Sequence, residues 1–323
     1  MSAPQGATPS LAGARVLVTG GDGFLGRHLL RRLASERCAA VVAPTHAQLD
    51  LRDASATRAA FERERPSVVV HLAARVGGIG ANQRRPGTFF RDNLAMGLAV
   101  LEAARACGAR RLVVVGTVCA YPKFTEVPFR EEDLWKGFPE ETNAPYGVAK
   151  RVLATGMEAY RAEFGLAGAY LLPANLYGPE DHFDLETSHV IPAMIRKCLE
   201  AAETGASEVT LWGSGTPTRE FLYVEDAADA IARAAATVDD PAPMNLGTGR
   251  EVSTRELAAL VARATGFAGT FRWDASRPDG QPRRALDTSS ARARLAWRAT
   301  TSLEDGLART VAWYRAIGRA AGA

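Results

Sequence analysis

Residues 14–26 read ARVLVTGGDGFLG, and this stretch decides which fold the rest of the chain is predicted to adopt. A short apolar run ends in glycines spaced as G-x-x-G-x-x-G, and a helical pattern follows directly. Glycines at such a junction allow a tight turn and let a pyrophosphate approach the free N–H groups of the helix. The stretch therefore predicts a dinucleotide-binding loop formed by Gly20, Gly23, Phe24, Leu25 and Gly26.

The first half of the chain alternates strand patterns with helix patterns. Helical spacing follows the glycine loop and recurs near residues 55–64, 88–107 and 145–164, where Pro145 suits the first helical turn and Gly165 the end. The strand patterns are apolar on both faces, as expected for a parallel sheet covered on both sides; they are ARVLVTG, AAVVAP, SVVVHLA, RLVVVGTV and GAYLLPAN. The predicted fold class is α/β, a Rossmann-type doubly wound parallel sheet.

Beyond residue 175 the alternation stops. We expect a long loop over residues 175–192, then two strands around a turn and a helix within residues 211–231. A strand and a helix capped by Ser253 or Thr254 follow, then the loop RPDGQPRR and a final amphipathic helix. These patterns predict a smaller α/β substrate-binding lobe. The proposed division assigns 12–175 and about 223–248 to the dinucleotide-binding domain, and 176–222 and 249–320 to the nucleotide-sugar-binding lobe.

Composition narrows the class of function. The 323 residues carry a net charge of +3 from scattered arginines, which argues against nucleic acid as a partner but is compatible with small anions. No apolar run approaches the ~20 residues that span a membrane, and the first ten residues lack the pattern of a signal peptide. The four cysteines show neither a metal-ligand spacing nor the density of a disulfide scaffold, so we expect a cytoplasmic protein without a metal.

Tyr146 and Lys150 form the pattern Tyr-x-x-x-Lys and share one face of the helix near residues 145–164. A lysine ammonium beside a phenol favours the phenolate, so the expectation is a lowered pKa for Tyr146. The pair is suited to proton exchange with a sugar or alcohol oxygen while hydride moves to or from nicotinamide. A packed tyrosine with a solvent-exposed lysine is the alternative, and the upstream glycine loop argues against it.

Thr117 and Cys119 follow a predicted central strand, where ligands bind in parallel sheets. The Thr117 hydroxyl is predicted to hydrogen-bond the same substrate oxygen as Tyr146. The Cys119 thiol is suited to removing a proton from a carbon next to a ketone, although a buried, inert cysteine is the commoner case. His189 is the candidate for returning a proton from the opposite face, ahead of His182 in a more polar stretch.

The adenosine half of the cofactor site leaves two alternatives open. In this glycine spacing Asp50 and Leu51 are predicted to lie near the adenine. An acidic residue closing the second strand would bind the ribose hydroxyls of NAD, and an arginine would bind the 2′-phosphate of NADP. Here that strand ends in Pro44, Thr45 and His46, so neither signature is present. Arg27 offers a positive charge, whereas Asp22 would repel a phosphate.

Together these motifs resemble the extended short-chain dehydrogenase/reductase family, and within it the GDP-L-fucose synthases. The similarity covers nearly the whole chain and rests on HLAARVGGIGAN, GTVCAYPK, PEETNAPYGVAK, NLYGPEDHF, SHVIPAMIRK and WGSGTPTREFLYVED. It implies C3 and C5 epimerisation of a 4-keto-6-deoxy sugar nucleotide by Cys119 and His189, then NADP(H)-dependent reduction at C4 by Thr117, Tyr146 and Lys150. It also implies a homodimer formed through two helices, and a nucleotide-sugar held by Asn175, His189, Lys197, Trp212 and Arg219.

Departures from the family pattern keep other functions open. The usual NADP-binding arginines appear here as Asp22 and Thr45, which makes NAD(H) an alternative cofactor and favours a nucleotide-sugar epimerase that retains NAD without net redox change. A 4,6-dehydratase would carry an Asp-Glu pair after Thr117, where this chain has Val118 and Cys119. A non-catalytic dinucleotide-sensing protein typically lacks the Tyr-x-x-x-Lys pair.

Overall fold

The computed structural model describes residues 10–185, 187–277 and 279–321, so most of the predicted N-terminal tail lies outside it. The strands of the described part are β1 (Arg15–Thr19), β2 (Ala40–Val42), β3 (Val68–His71), β4 (Arg111–Val115), β5 (Ala167–Pro173), β6 (Asn175–Tyr177), β7 (Glu208–Trp212), β8 (Thr218–Tyr223), β9 (Pro243–Leu246), β10 (Glu251–Ser253) and β11 (Thr270–Asp274). Its α-helices are α1 (Phe24–Leu33), α2 (Ala54–Glu64), α3 (Ile79–Arg84), α4 (Pro86–Ala106), α5 (Ala144–Phe164), α6 (Val190–Thr204), α7 (Val224–Thr237), α8 (Thr254–Thr265), α9 (Ser289–Leu295) and α10 (Leu303–Ala321).

The largest sheet has six parallel strands in the order β2-β1-β3-β4-β5-β9. Every residue of β3, β4 and β5 is buried, because helices cover both faces of the sheet. Burying a Val or Leu side chain stabilises a fold by roughly 1.5–3 kcal/mol, and these strands are rich in both. The prediction of a Rossmann-like parallel sheet is confirmed.

The helices around this sheet begin and end where the sequence indicates. α5 has Pro145 in its first turn and ends at Gly165, whose φ of +71° is the left-handed conformation that glycine tolerates best. Asp53 caps α2 through its side chain, and Ser253, one of the two predicted caps, caps α8. None of the helices in the described part of the chain is long and apolar enough to cross a bilayer.

The second lobe contains two small sheets, one of order β10-β8-β6 and one in which β11 pairs with β7. The loop expected over residues 175–192 is shorter than predicted, because its first residues pair with β8 as strand β6 and its end begins α6. A strand of three residues is too short to show periodicity, which explains the error. The two strands expected around a turn are present as β7 and β8, but each pairs with a different neighbour.

Two clusters of buried apolar side chains correspond to the two halves of the molecule. The larger one surrounds the six-stranded sheet, and the smaller one lies between α6, α8, α10 and the small sheets. Leu286, Leu295 and Trp297 belong to the larger cluster, although they fall in the segment 249–320 that the predicted division gave to the second lobe. The division itself stays a prediction.

The strand order also places the functional site. β1 lies between β2 and β3, so the chain crosses to one side of β1 and then to the other. In doubly wound sheets ligands bind at this switch point, beyond the carboxyl ends of the strands. Here β1 and β3 end at neighbouring residues, Thr19 and His71, and the Thr19 hydroxyl lies 2.8 Å from His71 Nδ1. The glycine loop leaves the sheet at this point.

Candidate active site

A cavity of about 1200 Å³ lies at the carboxyl ends of the sheet and extends to the second lobe. Among the predicted site residues, the structure brings together in its wall Gly20, Gly23, Phe24, Leu25, Gly26, Thr117, Cys119, Tyr146, Lys150, Asn175, His189, Lys197, Trp212 and Arg219. Asp50 and Leu51 do not line the cavity. The site therefore combines side chains that are more than 190 residues apart in sequence.

The glycine loop has the shape of a phosphate-binding turn. Gly20 has a φ of +73°, and a Cβ added there would lie 2.8 Å from the backbone nitrogen of Ala73. A Cβ on Gly26 would lie only 2.0 Å from the carbonyl oxygen of Gly20, so helix α1 is packed directly against the turn. No described side chain caps α1 at Gly23, which leaves first-turn N–H groups for a ligand. The loop thus fits the pyrophosphate of a dinucleotide.

The region predicted for the adenine differs from expectation. Leu51 is only 6% exposed and packs in the larger core, so its side chain is not available to a ligand from the cavity. Asp50 accepts a bidentate hydrogen bond from Arg52, which lowers the pKa of its carboxyl, and Arg52 lines the cavity in its place. Arg27, considered as a phosphate ligand, instead pairs with Glu180 at 2.6 Å.

Tyr146 and Lys150 lie one helical turn apart on α5 and both line the cavity. The Nζ atom of Lys150 donates to the carbonyl oxygen of Val115 at 2.9 Å, and burial lowers the pKa of this lysine to about 8. Burial and the neighbouring Cys119 raise the pKa of Tyr146, with a hydrogen bond to Thr117 acting in the opposite direction. The expected lowering of the Tyr146 pKa was therefore wrong for the cofactor-free protein, because desolvation dominates.

Thr117 and Cys119 are fixed by a turn that follows β4. The Thr117 hydroxyl accepts a hydrogen bond from the Cys119 N–H at 3.2 Å and so caps a 3-10 turn over Val118–Ala120. Gly147 allows α5 to approach this turn, since a Cβ there would lie 2.5 Å from the carbonyl oxygen of Cys119. The close packing brings the thiol and the Tyr146 ring to the same wall of the cavity.

Arg284 and Gln281 belong to this wall, and the sequence analysis missed both. Arg284 is buried and its Nη1 lies 3.5 Å from the Cys119 sulfur. The Oε1 atom of Gln281 accepts from Nε and Nη2 of Arg284, each at 3.1 Å, while its Nε2 donates to the Lys123 carbonyl at 2.8 Å. The arginine-rich segment RPDGQPRR was the available signal, but only the fold brings it to Cys119 from 165 positions away.

Arg219 lies beside Arg284 and also faces the cavity. Burial, and secondarily the positive charge of Arg284, lower the pKa of Arg219 to about 10. Its guanidinium donates to the backbone oxygens of Thr218 and Asp279. Within the described ranges no carboxylate forms a salt bridge with either arginine, so the pair provides a site for an anionic group of a ligand.

His189 lies at the N-terminus of helix α6, where the second lobe meets the cavity. Its imidazole lines the cavity and is exposed there, so it is accessible for proton exchange with a bound ligand. His182 is not part of the cavity wall, and its Nε2 lies 2.7 Å from the Thr187 hydroxyl. The arrangement favours His189 over His182, as the sequence analysis predicted.

The remaining predicted substrate ligands lie further out in the second lobe. Lys197 on α6 donates to the carbonyl oxygen of Thr210 at 3.0 Å, and burial lowers its pKa. Trp212 ends β7 and is 59% exposed, with the guanidinium of Arg277 stacked 4.8 Å from its ring centroid. Asn175 begins β6 at the cavity wall. An open indole face beside cationic groups is suited to a base and its phosphates.

Comparisons with known proteins agree with this geometry. A family model described as "NAD dependent epimerase/dehydratase family" matches residues 16–247. The "Probable GDP-L-fucose synthase 1" of Oryza sativa subsp. japonica is 43% identical over 94% of this chain and 92% of its own length. The "GDP-L-fucose synthase" of Sinorhizobium fredii is 42% identical over 93% of this chain and 95% of its own.

A solved structure, a "gdp-l-fucose synthetase from Naegleria fowleri bound to NADP", superimposes with a TM-score of 0.88. It is 30% identical in sequence, and the match covers 96% of this chain and 95% of that chain. The similarity therefore extends over both lobes and not over the glycine loop alone.

Proposed function

Because the chain belongs to the NAD dependent epimerase/dehydratase family, we propose that it is an NAD(P)-dependent epimerase/reductase of a GDP-bound 4-keto-6-deoxy sugar. In this proposal it inverts C3 and C5 and then reduces the ketone at C4, which would yield the GDP-L-fucose named in its relatives. The observation that carries the proposal is the presence of Cys119 in the same cavity wall as Thr117, Tyr146 and Lys150. A dehydrogenase alone has no use for an acid–base thiol beside its tyrosine.

Epimerisation follows from the acidity of the carbons that flank the ketone. Cys119 removes the proton from C3 or C5, the C–H electrons move into an enolate with its charge on O4, and His189 delivers a proton to the opposite face. Arg284, at 3.5 Å from the sulfur, stabilises negative charge on Cys119 during this step. The Thr117 and Tyr146 hydroxyls donate to O4 and stabilise the enolate. No electrons are gained or lost, so this step requires no redox cofactor.

We assign the reduction at C4 to Thr117, Tyr146 and Lys150. A bound reduced nicotinamide supplies the hydride that C4 requires. Tyr146 then donates its phenolic proton to the oxygen that was the ketone, and its raised pKa means that the phenol is protonated and able to donate near neutral pH. Lys150, with a pKa of about 8, carries a positive charge below that pH and favours the phenolate that remains.

The two lobes supply the remaining contacts of the proposed complex. Arg219 holds the diphosphate, since its guanidinium is partly buried at the cavity wall and has no carboxylate partner among the described residues. Trp212 offers its exposed face to the base. Asn175 and Lys197 complete the sugar and nucleotide contacts that the resemblance implies.

The homodimer implied by the resemblance also belongs to this proposal. α4 and α5 pack against one another on one face of the sheet, and each carries exposed apolar side chains, among them Leu98 and Val152. Covering such side chains in a partner's pair of helices is favourable. The cytoplasmic location expected from the cysteine pattern stays a prediction.

One specific observation favours a second function. Asp22, where the family pattern places an arginine, lines the cavity and would favour NAD. An epimerase that retains NAD and shows no net redox change therefore stays open. Such an enzyme would leave cofactor absorbance unchanged after many turnovers, whereas an epimerase/reductase consumes one reduced cofactor for each product.

One experiment separates the epimerase/reductase from the epimerase that retains NAD. The purified protein is incubated with GDP-4-keto-6-deoxy-mannose and either NADH or NADPH, and the near-ultraviolet absorbance of the reduced cofactor is followed. We expect loss of absorbance equal to the sugar added and a product whose proton spectrum shows inverted C3 and C5. Turnover of the sugar with constant absorbance would instead assign an epimerase without net redox change.

A further inference from the structure

We propose that the adenosine end of the dinucleotide site selects NAD(H) over NADP(H), with Asp22 as the specificity-determining residue. The inference rests on the dinucleotide site of the proposed function and deepens it. It departs from the NADP that the Naegleria fowleri structure holds. Asp22 lies at the adenosine end of the cavity, and the arginines Arg27, Arg52 and Arg75 are already paired with carboxylates.

The position of Asp22 follows from the packing of the residue before it. A Cβ added to Gly21 would lie 2.7 Å from the Cβ of Ala43, so the glycine loop rests directly against the end of β2. The end of β2 is where a Rossmann fold binds the adenosine ribose. Asp22 is exposed, follows Gly21, and lines the cavity together with His46. Its carboxylate is therefore beside the ribose position, where an acidic group accepts hydrogen bonds from the 2′- and 3′-hydroxyls.

The arginine nearest in sequence is not available to a phosphate. Arg27 donates through Nη1 to the carbonyl oxygen of Asp22 at 2.7 Å, and its Nε lies 2.6 Å from a carboxylate oxygen of Glu180. Arg31 binds the other oxygen of Glu180 at 2.8 Å. These contacts turn Arg27 toward the loop after β6 and away from the ribose position.

The arginines on the other side of the site are paired as well. Arg52 binds Asp50 at 2.6 Å and approaches Asp92 at 3.6 Å, and Arg75 binds Asp92 at 2.8 Å. Asp92 is only 1% exposed, so withdrawing an arginine from it would weaken the compensation of a buried charge. Thr45, the other family arginine position, uses its hydroxyl and N–H on the side chain of Gln48.

His46 also lines the cavity. It lies close enough to Asp50 for its charge to contribute to the lowered pKa of that carboxyl. A 2′-phosphate here would thus meet the Asp22 carboxylate, while the guanidiniums of Arg27, Arg52 and Arg75 are each held by a carboxylate. Two ribose hydroxyls, in contrast, match a carboxylate acceptor.

The test is equilibrium binding to the full-length, cofactor-free protein, which does not depend on turnover. NADH and NADPH are titrated at pH 8.5, where an ordinary imidazole is uncharged, with energy transfer from tryptophan to nicotinamide as the signal. We expect NADH to bind at least about tenfold more tightly than NADPH, as one unfavourable charge contact of modest strength implies. Because salt screens that repulsion, the ratio should narrow as ionic strength rises.

Two variants and a matched control sharpen the result. Asp22→Asn should bring the two dissociation constants to within about threefold of one another, and Asp22→Arg should invert the preference. Glu203→Gln removes the same charge from an exposed site on α6 and should leave the ratio unchanged. NADPH binding as tightly as NADH to the unmodified protein, or a ratio insensitive to Asp22→Asn, overturns the inference. Binding of neither dinucleotide overturns the proposed function itself.

Discussion

Replacing Lys150 by Met is expected to change how stability depends on pH. Lys150 is 2% exposed, and burial lowers its pKa from 10.5 to about 8. The unfolded chain therefore binds more protons than the folded protein between pH 8 and 10.5, so this residue makes stability rise with pH across that window. Below pH 8 both states are protonated and the cost of the buried charge is constant.

The size of the effect follows from the same shift. A difference of about 2.5 pKa units at about 1.4 kcal/mol each costs the fold about 3 kcal/mol at pH 7, and about 1 kcal/mol at pH 10. The Lys150→Met variant lacks this pH-dependent cost of the buried ammonium. It also loses the hydrogen bond to Val115, but that loss is the same at every pH. Between pH 7 and 10 the free energy of unfolding of the unmodified protein should thus rise by about 2 kcal/mol relative to that of the variant.

Urea unfolding of the cofactor-free proteins at several pH values measures this difference. Lys136→Met serves as the control, because the Lys136 side chain is 63% exposed and its pKa is raised by Asp133, the opposite direction. Stability curves for the unmodified protein and Lys150→Met that stay parallel from pH 7 to 10 would refute the reasoning. That result would mean that the buried ammonium is solvated more fully than its contacts indicate.

Four further outcomes are expected. Cys119→Ser should slow solvent exchange of the C3 and C5 protons by at least about 100-fold while leaving the dissociation constant of NADH unchanged, as measured by proton spectra and by titration. Arg284→Gln should slow the same exchange by about tenfold or more, whereas Arg283→Gln, which alters an exposed neighbour paired with Glu251, should not. Gly26→Ala should abolish dinucleotide binding in calorimetry, because its Cβ would overlap the Gly20 carbonyl. If the proposed dimer forms through α4 and α5, Leu98→Glu should convert it to a monomer in sedimentation without loss of folding.

The larger half of the fold could be predicted because its strands and helices are long enough to show periodicity. β3, β4 and β5 are continuous apolar runs, and α5 has both a proline near its start and a glycine at its end. Strand β6 was missed because its three residues form a strand only by pairing with β8. Such short segments take their structure from tertiary contacts, which a local pattern does not record.

The site residues also fall into those that local motifs predict and those that only the fold brings together. Tyr146, Lys150 and Cys119 follow motifs with local spacing, so the sequence places them together. Arg284 joins them from 165 positions beyond Cys119, and nothing local to it specifies that contact. The direction of the Tyr146 pKa shift was predicted wrongly because desolvation depends on burial by the whole fold, whereas the local spacing of Tyr146 and Lys150 indicates only their mutual charge effect.

Deuterium incorporation during a single incubation tests the central claim, that one cavity first epimerises and then reduces. GDP-4-keto-6-deoxy-mannose is incubated in deuterium oxide with the unmodified protein and with Tyr146→Phe, each with and without reduced cofactor, and the products are analysed by mass and proton spectra. We predict deuterium at both C3 and C5 without cofactor in the unmodified protein, and one cofactor oxidised per product when it is present. Tyr146→Phe should still exchange, more slowly because one hydrogen-bond donor to O4 is lost, but should not oxidise the cofactor. Cofactor oxidation by the unmodified protein with no deuterium at either carbon would contradict the account and leave a simple ketone reductase.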